Sequence, residues 1–208
     1  MKPKHARPAV AHLRKADPVL ARVIEEVGPC RLTLRTEGSH FHALLRSVLW
    51  QQLSGKAAAT IHERLRALYG GRDPEPEELL ATPEEALRAA GVSRQKQGYL
   101  KDLAAKVASG QLPLAAVEQL PDEAIVEALA AVKGVGRWTV QMFLLFRLGR
   151  PDVLPCADLG IQKGIQRAYE LPALPKPADV ERHGAPWRPY ASVASWYLWK
   201  SLDTVVPD

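Results

Sequence analysis

Two apolar segments that both read as helix meet in the stretch VKGVGRWTVQMF, Val132 to Phe143, with only Gly134, Val135 and Gly136 to turn the chain between them. Helices joined by so short a turn pack closely, which glycine permits by accepting left-handed backbone angles and by carrying no side chain to hold a neighbour away. The N–H groups from Gly134 to Thr139 then sit at the start of the second helix without helical acceptors, an arrangement that binds anions. A DNA phosphate is one such anion, gripped without reading sequence. A tight helical hairpin inside a core has the same glycines, so the flanks matter. Leu129, Val132, Val135 and Val140 are apolar, while Lys133 and Arg137 bracket the turn with positive charge.

Helical spacing dominates the rest of the chain. In FHALLRSVLW, Phe41, Leu44, Leu45, Val48 and Leu49 form one apolar face. The polar run QQLSG interrupts it before Ala58, Ile61, Leu65 and Leu68 resume the pattern up to Gly70-Gly71. Thr82-Pro83-Glu84-Glu85 reads as a capping box that opens a short helix ending at Gly91. Leu100, Leu103, Ala104 and Val107 share a face that closes at Gly110, and Pro121-Asp122-Glu123 opens a helix running through Val132. Another helix is expected from Thr139 to Leu148, then one after Asp158, and the tryptophan-rich WRPYASVASWYLWKSL ends the pattern. Only RLTLRT, residues 31 to 36, alternates, and it is expected to be a lone extended segment. The expectation is an all-α protein whose first sixteen or so residues, 1–15 in the domain division, form a frayed basic N-terminus.

At 208 residues and 47% hydrophobic, the chain, with its domain placed at 16–208, can build one ordinary domain or two small lobes sharing a groove, without covalent staples. A net charge of +5 fits a polyanionic partner, provided the positive patch is local. Two cysteines, Cys30 and Cys156, cannot hold a four-cysteine iron–sulfur cluster or an all-cysteine zinc site. The six histidines, including His5, show no metal spacing. The basic start lacks the apolar core of a signal peptide, and no run approaches a membrane span. These features point to a cytoplasmic protein with no membrane partner.

LAAVKGVGRWTVQMF followed by LGRPDVLPCADLG resembles the helix-hairpin-helix, Gly-Pro-Asp motif of the base-excision DNA glycosylases. FHALLRSVLWQQLSGKAAATI, GVSRQKQGYLKDLA and APWRPYASVASWYLW extend the likeness over roughly residues 15 to 203, in family order. The chain is similar to the 3-methyladenine DNA glycosylase II (alkyl-base) branch, in a short form without that branch's N-terminal β domain. The resemblance implies a two-lobed helix-hairpin-helix fold with the hairpin at 129–148 and a DNA groove between the lobes. The implied partner is double-stranded DNA containing a damaged base, and the protein is expected to be a monomer.

The resemblance makes Asp158 the catalytic aspartate. Read from the residues alone, Asp158 is first an N-cap. The roles agree, because a helix N-terminus favours the charged carboxylate, and glycosidic cleavage needs negative charge beside an oxocarbenium-like sugar. Trp138 stands where bifunctional relatives carry a Schiff-base lysine, which implies a monofunctional enzyme that leaves an abasic site. Trp138, Trp196 and Met142 are the implied base pocket, since a cationic alkylated ring stacks well on indole. Lys133, Gly134, Val135, Gly136, Arg137 and Thr139 are the implied DNA-binding hairpin. The loop Gln51, Gln52, Leu53 and Ser54 is the implied minor-groove wedge, with Gln52 or Leu53 as the plug that fills the space of a flipped base. By resemblance alone, the carbonyls of Ala130, Val132 and Val135 would hold a monovalent cation. No organic cofactor is implied. The expected substrates are 3-methyladenine and 7-methylguanine, with 1-methyladenine and 3-methylcytosine behind them. The alternatives are a glycosylase for deaminated or oxidised bases and a non-catalytic damage-binding module.

Overall fold

The structure, a computed structural model, describes residues 6–202. Twelve helices are found there: α1 Ala6–Ala16, α2 Pro18–Val27, α3 His40–Trp50, α4 Gly55–Ala67, α5 Pro76–Ala81, α6 Glu84–Ala89, α7 Arg94–Ala108, α8 Asp122–Ala130, α9 Arg137–Met142, α10 Leu159–Ala168, α11 Pro177–Gly184 and α12 Ala191–Ser201. Leu114–Gln119 and Ala185–Trp187 form 3-10 turns, and Phe143–Arg147 continues α9 as a π-helical turn. No strand occurs among the described residues, and residues 31–36 form no regular element. None of the described helices is long and apolar enough to cross a membrane.

The helices divide into two compact units, one of residues 36–143 and one that joins 6–35 to 144–202. In the first, α3 packs against α4 and α7, α7 also covers α5 and α6, and α8 pairs with α9. The apolar face of α3 is buried as its spacing predicts, with Phe41, Leu44, Leu45, Val48 and Leu49 all inside. In the second unit, α12 packs against α1, α2 and α10. Every residue from Ala191 to Trp199 is buried, so α12 is a core helix enclosed on all sides rather than an amphipathic surface one.

Two expectations need correction. The N-terminal segment is not frayed over 6–16: it forms α1, with Ala9 and Leu13 fully buried and its last turn leading into Asp17. Residues 1–5, with His5, lie outside the described residues. Asp17 explains why this end is fixed. It caps α2 through Val19 and Leu20 N–H at 2.9 and 3.0 Å, and its other oxygen accepts the Tyr169 hydroxyl and the Trp187 indole N–H. Burial pulls the Asp17 carboxyl upward, but these four donors outweigh it and hold the group below its ordinary range. The capping box at Thr82 does not form either. The Thr82 hydroxyl bonds back to the Glu78 carbonyl at 2.7 Å and meets Tyr69 at 2.6 Å, and α6 starts at Glu84 with no side-chain cap.

Candidate functional site

In the unit of 6–35 and 144–202, Asp158 is the N-cap of α10. Its Oδ1 accepts the Ile161 N–H at 2.9 Å and the Trp199 indole N–H at 2.8 Å, and the residue is only 8% exposed. The loop that delivers it is tied to α12. Ser192 Oγ accepts the Val153 N–H at 2.9 Å and donates to the Arg150 carbonyl at 2.6 Å, while the Ser192 N–H reaches the Pro151 carbonyl at 3.0 Å. Arg188 adds a bond to Asp152 at 2.8 Å. A carboxylate held this way is a fixed negative charge beside a helix start, suited to stabilising a cation that develops during a reaction.

Trp199 was invisible as a site residue in the sequence, where it reads as one more core aromatic. The signal that could have marked it is the pair Gly160 and Gly164, four residues apart on α10. A Cβ on Gly160 would lie 2.7 Å from Trp199 Cδ1, and one on Gly164 would lie 2.9 Å from Leu198 Cβ. The two glycines let α12 come close enough for the indole to reach Asp158. Trp196 is buried, edge-on to the Tyr197 ring at 4.9 Å. Cys156, two residues before Asp158, is no nucleophile: burial and the adjacent Glu181 carboxylate push its thiol up to about 12.

In the unit of 36–143, the turn between α8 and α9 requires glycine at one position. Gly134 has φ +76°, and a Cβ there would lie 2.1 Å from the Tyr99 ring. Gly136 has φ −87° and ψ 167°, an extended backbone open to any residue, so only the first glycine meets the left-handed expectation. The row of N–H groups is also shorter than expected, because Val135 N–H bonds to the Val132 carbonyl at 3.1 Å and closes the turn. Lys133 N–H is held by Asp102 at 2.9 Å, and Asp102 also takes Lys106 at 2.7 Å. The Arg137 guanidinium pairs with both oxygens of Glu123, 2.8 and 3.1 Å away. That pair is exposed on both sides and worth little, so an incoming phosphate could replace the carboxylate.

Trp138, in the first turn of α9, is 39% exposed, while Met142 one turn on is buried. Beside the hairpin, the loop between α3 and α4 divides its labour. Gln51 Nε2 donates to the Gly134 carbonyl at 2.9 Å and to Thr139 Oγ1 at 3.4 Å, fastening loop to hairpin. Lys96 Nζ donates to the carbonyls of Leu49 and Gln51 at 2.5 and 2.7 Å. Ser54 caps α4 by accepting the Ala57 N–H at 3.3 Å. Gln52 and Leu53 are exposed at the tip, and Gln52 adopts φ +57°, a left-handed conformation that costs a side chain about 1 kcal/mol. Two loop residues thus anchor while two project.

No group of three or more His, Cys, Asp or Glu suited to a metal ion occurs among the described residues. Cys30 and Cys156 are not joined in a disulfide.

Residues 45–189 match the model of the HhH-GPD superfamily base excision DNA repair proteins. DNA-3-methyladenine glycosylase 1 of Schizosaccharomyces pombe is 37% identical over 196 residues, 93% of this chain and 86% of that protein. Among solved structures, the S. pombe 3-methyladenine DNA glycosylase in complex with abasic DNA superposes with a TM-score of 0.81 at 37% identity, covering 93% of this chain and 95% of that one. The DNA-3-methyladenine glycosidase of Bacillus halodurans gives 0.84 at 38% identity, covering 93% and 88%. With a family match across most of its length and a relative 37% identical over 93% of the chain, the chain belongs to the HhH-GPD superfamily of base excision DNA repair proteins.

Proposed function

We propose that the chain is a monofunctional DNA glycosylase that hydrolyses the N-glycosidic bond of alkylated bases in duplex DNA and leaves an abasic site. The observation that carries this reading is the Asp158 carboxylate, buried at the N-terminus of α10 and held by the Ile161 and Trp199 N–H groups. Relatives named as 3-methyladenine glycosylases support the substrate class. The bond from C1′ to the base breaks with its electron pair leaving on the base. A purine alkylated at N3 or N7 is already cationic in the nucleoside, so it departs neutral and needs no protonation. Asp158 stabilises the oxocarbenium-like sugar, and water supplies the new C1′ oxygen and releases one proton to the solvent.

The damaged nucleotide must leave the stack first, and Gln52 or Leu53 fills the gap while the hairpin from Lys133 to Thr139 holds the backbone. Trp138 and Trp196, with Met142, receive the base, the indoles favouring a cationic ring. Trp138 has no amine for a Schiff base, so the reaction ends at hydrolysis. The substrates are 3-methyladenine and 7-methylguanine, with 1-methyladenine and 3-methylcytosine as further candidates. A monovalent cation on the carbonyls of Ala130, Val132 and Val135 belongs to the same reading. It is compatible with Val132 using one carbonyl lone pair for the Val135 N–H, since a carbonyl has two. The protein acts as a monomer in the cytoplasm.

The test is base release from a duplex carrying one alkylated base, followed by alkali. Strand breaks that appear only after alkali are expected. Breaks without alkali would mean lyase chemistry, and no release from any lesion despite tight binding would favour the damage-binding module.

A further inference from the structure

We infer that Trp199 is a positioning residue for base release, its indole N–H fixing the orientation of the Asp158 carboxylate. The inference rests on Asp158 being the catalytic carboxylate and adds a residue outside the pocket and hairpin sets.

A helix cap needs only the bond from Ile161 N–H to Asp158 Oδ1, and around one such bond a carboxylate can still pivot. The Trp199 N–H reaches the same oxygen at 2.8 Å from a different helix, so two donors on separate elements fix the group in rotation as well as in place. The second donor is itself immobile. Trp199 is 1% exposed, it stacks on Phe146 with ring centroids 5.9 Å apart and an angle of 29°, and the Arg35 guanidinium lies 5.0 Å over the Phe146 ring. Gly160 completes the arrangement. A Cβ there would meet both the indole, at 2.7 Å, and Asp158 Oδ1, at 3.0 Å. A methyl group at Gly160 would wedge the donor from the carboxylate. The competing account is that the carboxylate merely satisfies a buried indole N–H. The two accounts differ in kinetics, because an orienting bond matters to the rate of release and not to DNA binding.

The experiment compares Trp199→Phe, which keeps a ring for Phe146 and removes the donor, with wild type on a duplex carrying one alkylated base. Single-turnover base release is expected to fall about 10- to 100-fold, the loss of one hydrogen bond to a charged group. The Kd for an abasic duplex should stay within about twofold. Gly160→Ala, which acts from the opposite side of the same bond, should lower release in the same direction and decides the matter should Trp199→Phe fail to fold. In the Asp158→Asn background, Trp199→Phe should change nothing further. Release within about twofold of wild type in Trp199→Phe, with Asp158→Asn inactive, overturns the positioning role and leaves Asp158 as the catalytic group. Full release by Asp158→Asn overturns both together.

Discussion

Within residues 36–143, the groups proposed to meet DNA lie on a turn, a loop tip and the first turn of a short helix: Trp138 is 39% exposed, Leu53 is 38% exposed, and Gln52 holds a left-handed backbone. In the unit of 6–35 and 144–202, Asp158 is 8% exposed and its partner Trp199, at the end of a helix buried from Ala191 to Trp199, is 1% exposed. The contrast follows from what each group must do. A grip on a polyanion is made and broken at every encounter, so weak exposed pairs such as Arg137 with Glu123 suit it. A charge that stabilises a transition state must already be oriented and poorly hydrated, which requires a rigid buried setting. Mutations in the two regions should accordingly separate into losses of recognition and losses of rate.

The sharpest break of that contrast is Asp158→Asn, expected to lower release at least 100- to 1,000-fold with little change in affinity for lesion DNA. On the exposed side, Trp138→Lys should cost about 100-fold in alkyl-base excision, measured as kcat/KM on methylated duplex, because the cationic base loses its indole and meets a like charge. Undiminished excision would remove Trp138 from the pocket. Gly134→Ala should lower unfolding stability by about 2 kcal/mol through its positive φ and the Tyr99 ring, read from denaturant melts, and should weaken DNA binding along with it. The smallest effect concerns acid. Because Asp17 has a lower carboxyl pKa folded than unfolded, the stability it contributes is present in full above about pH 4 and fades as pH falls through the folded value. Asp17→Asn should remove about 1 to 2 kcal/mol at neutral pH and flatten the acid limb of the stability profile. An acid limb as steep as that of wild type would show that other carboxylates dominate it.

Local pattern carried the fold a long way. The spacing of Phe41 to Leu49 locates α3 and its buried face, and Asp158 before LGIQKG marks an N-cap, while its catalytic reading rests on the family resemblance. What remained hidden depends on partners far off in the chain. α1 reads as a basic tail because Arg7, Arg14 and Lys15 sit among small residues with only Val10 and Leu13 as larger apolar side chains, yet Ala9 and Leu13 suffice to bury one side once α2 and α12 are present. Thr82 has the chemistry of a cap, but Glu78 and Tyr69 claim its hydroxyl. The bond from Trp199 to Asp158 spans 41 residues, and Gln51 reaches 83 residues ahead to Gly134; no periodicity encodes either. Glycine was the nearest thing to a long-range signal, since Gly134 and Gly160 each mark a place where an aromatic ring approaches the backbone.

The proposed division of labour gives Asp158 the chemistry and the exposed hairpin and loop the grip. It is tested most directly by single-turnover base release from a duplex with one 7-methylguanine, wild type against Asp158→Asn, each read with and without alkali and beside the Kd for the same DNA. Alkali-dependent breaks with wild type, and none with Asp158→Asn at unchanged Kd, are the predicted result. Equal release by both proteins would show that Asp158 takes no part in the chemistry.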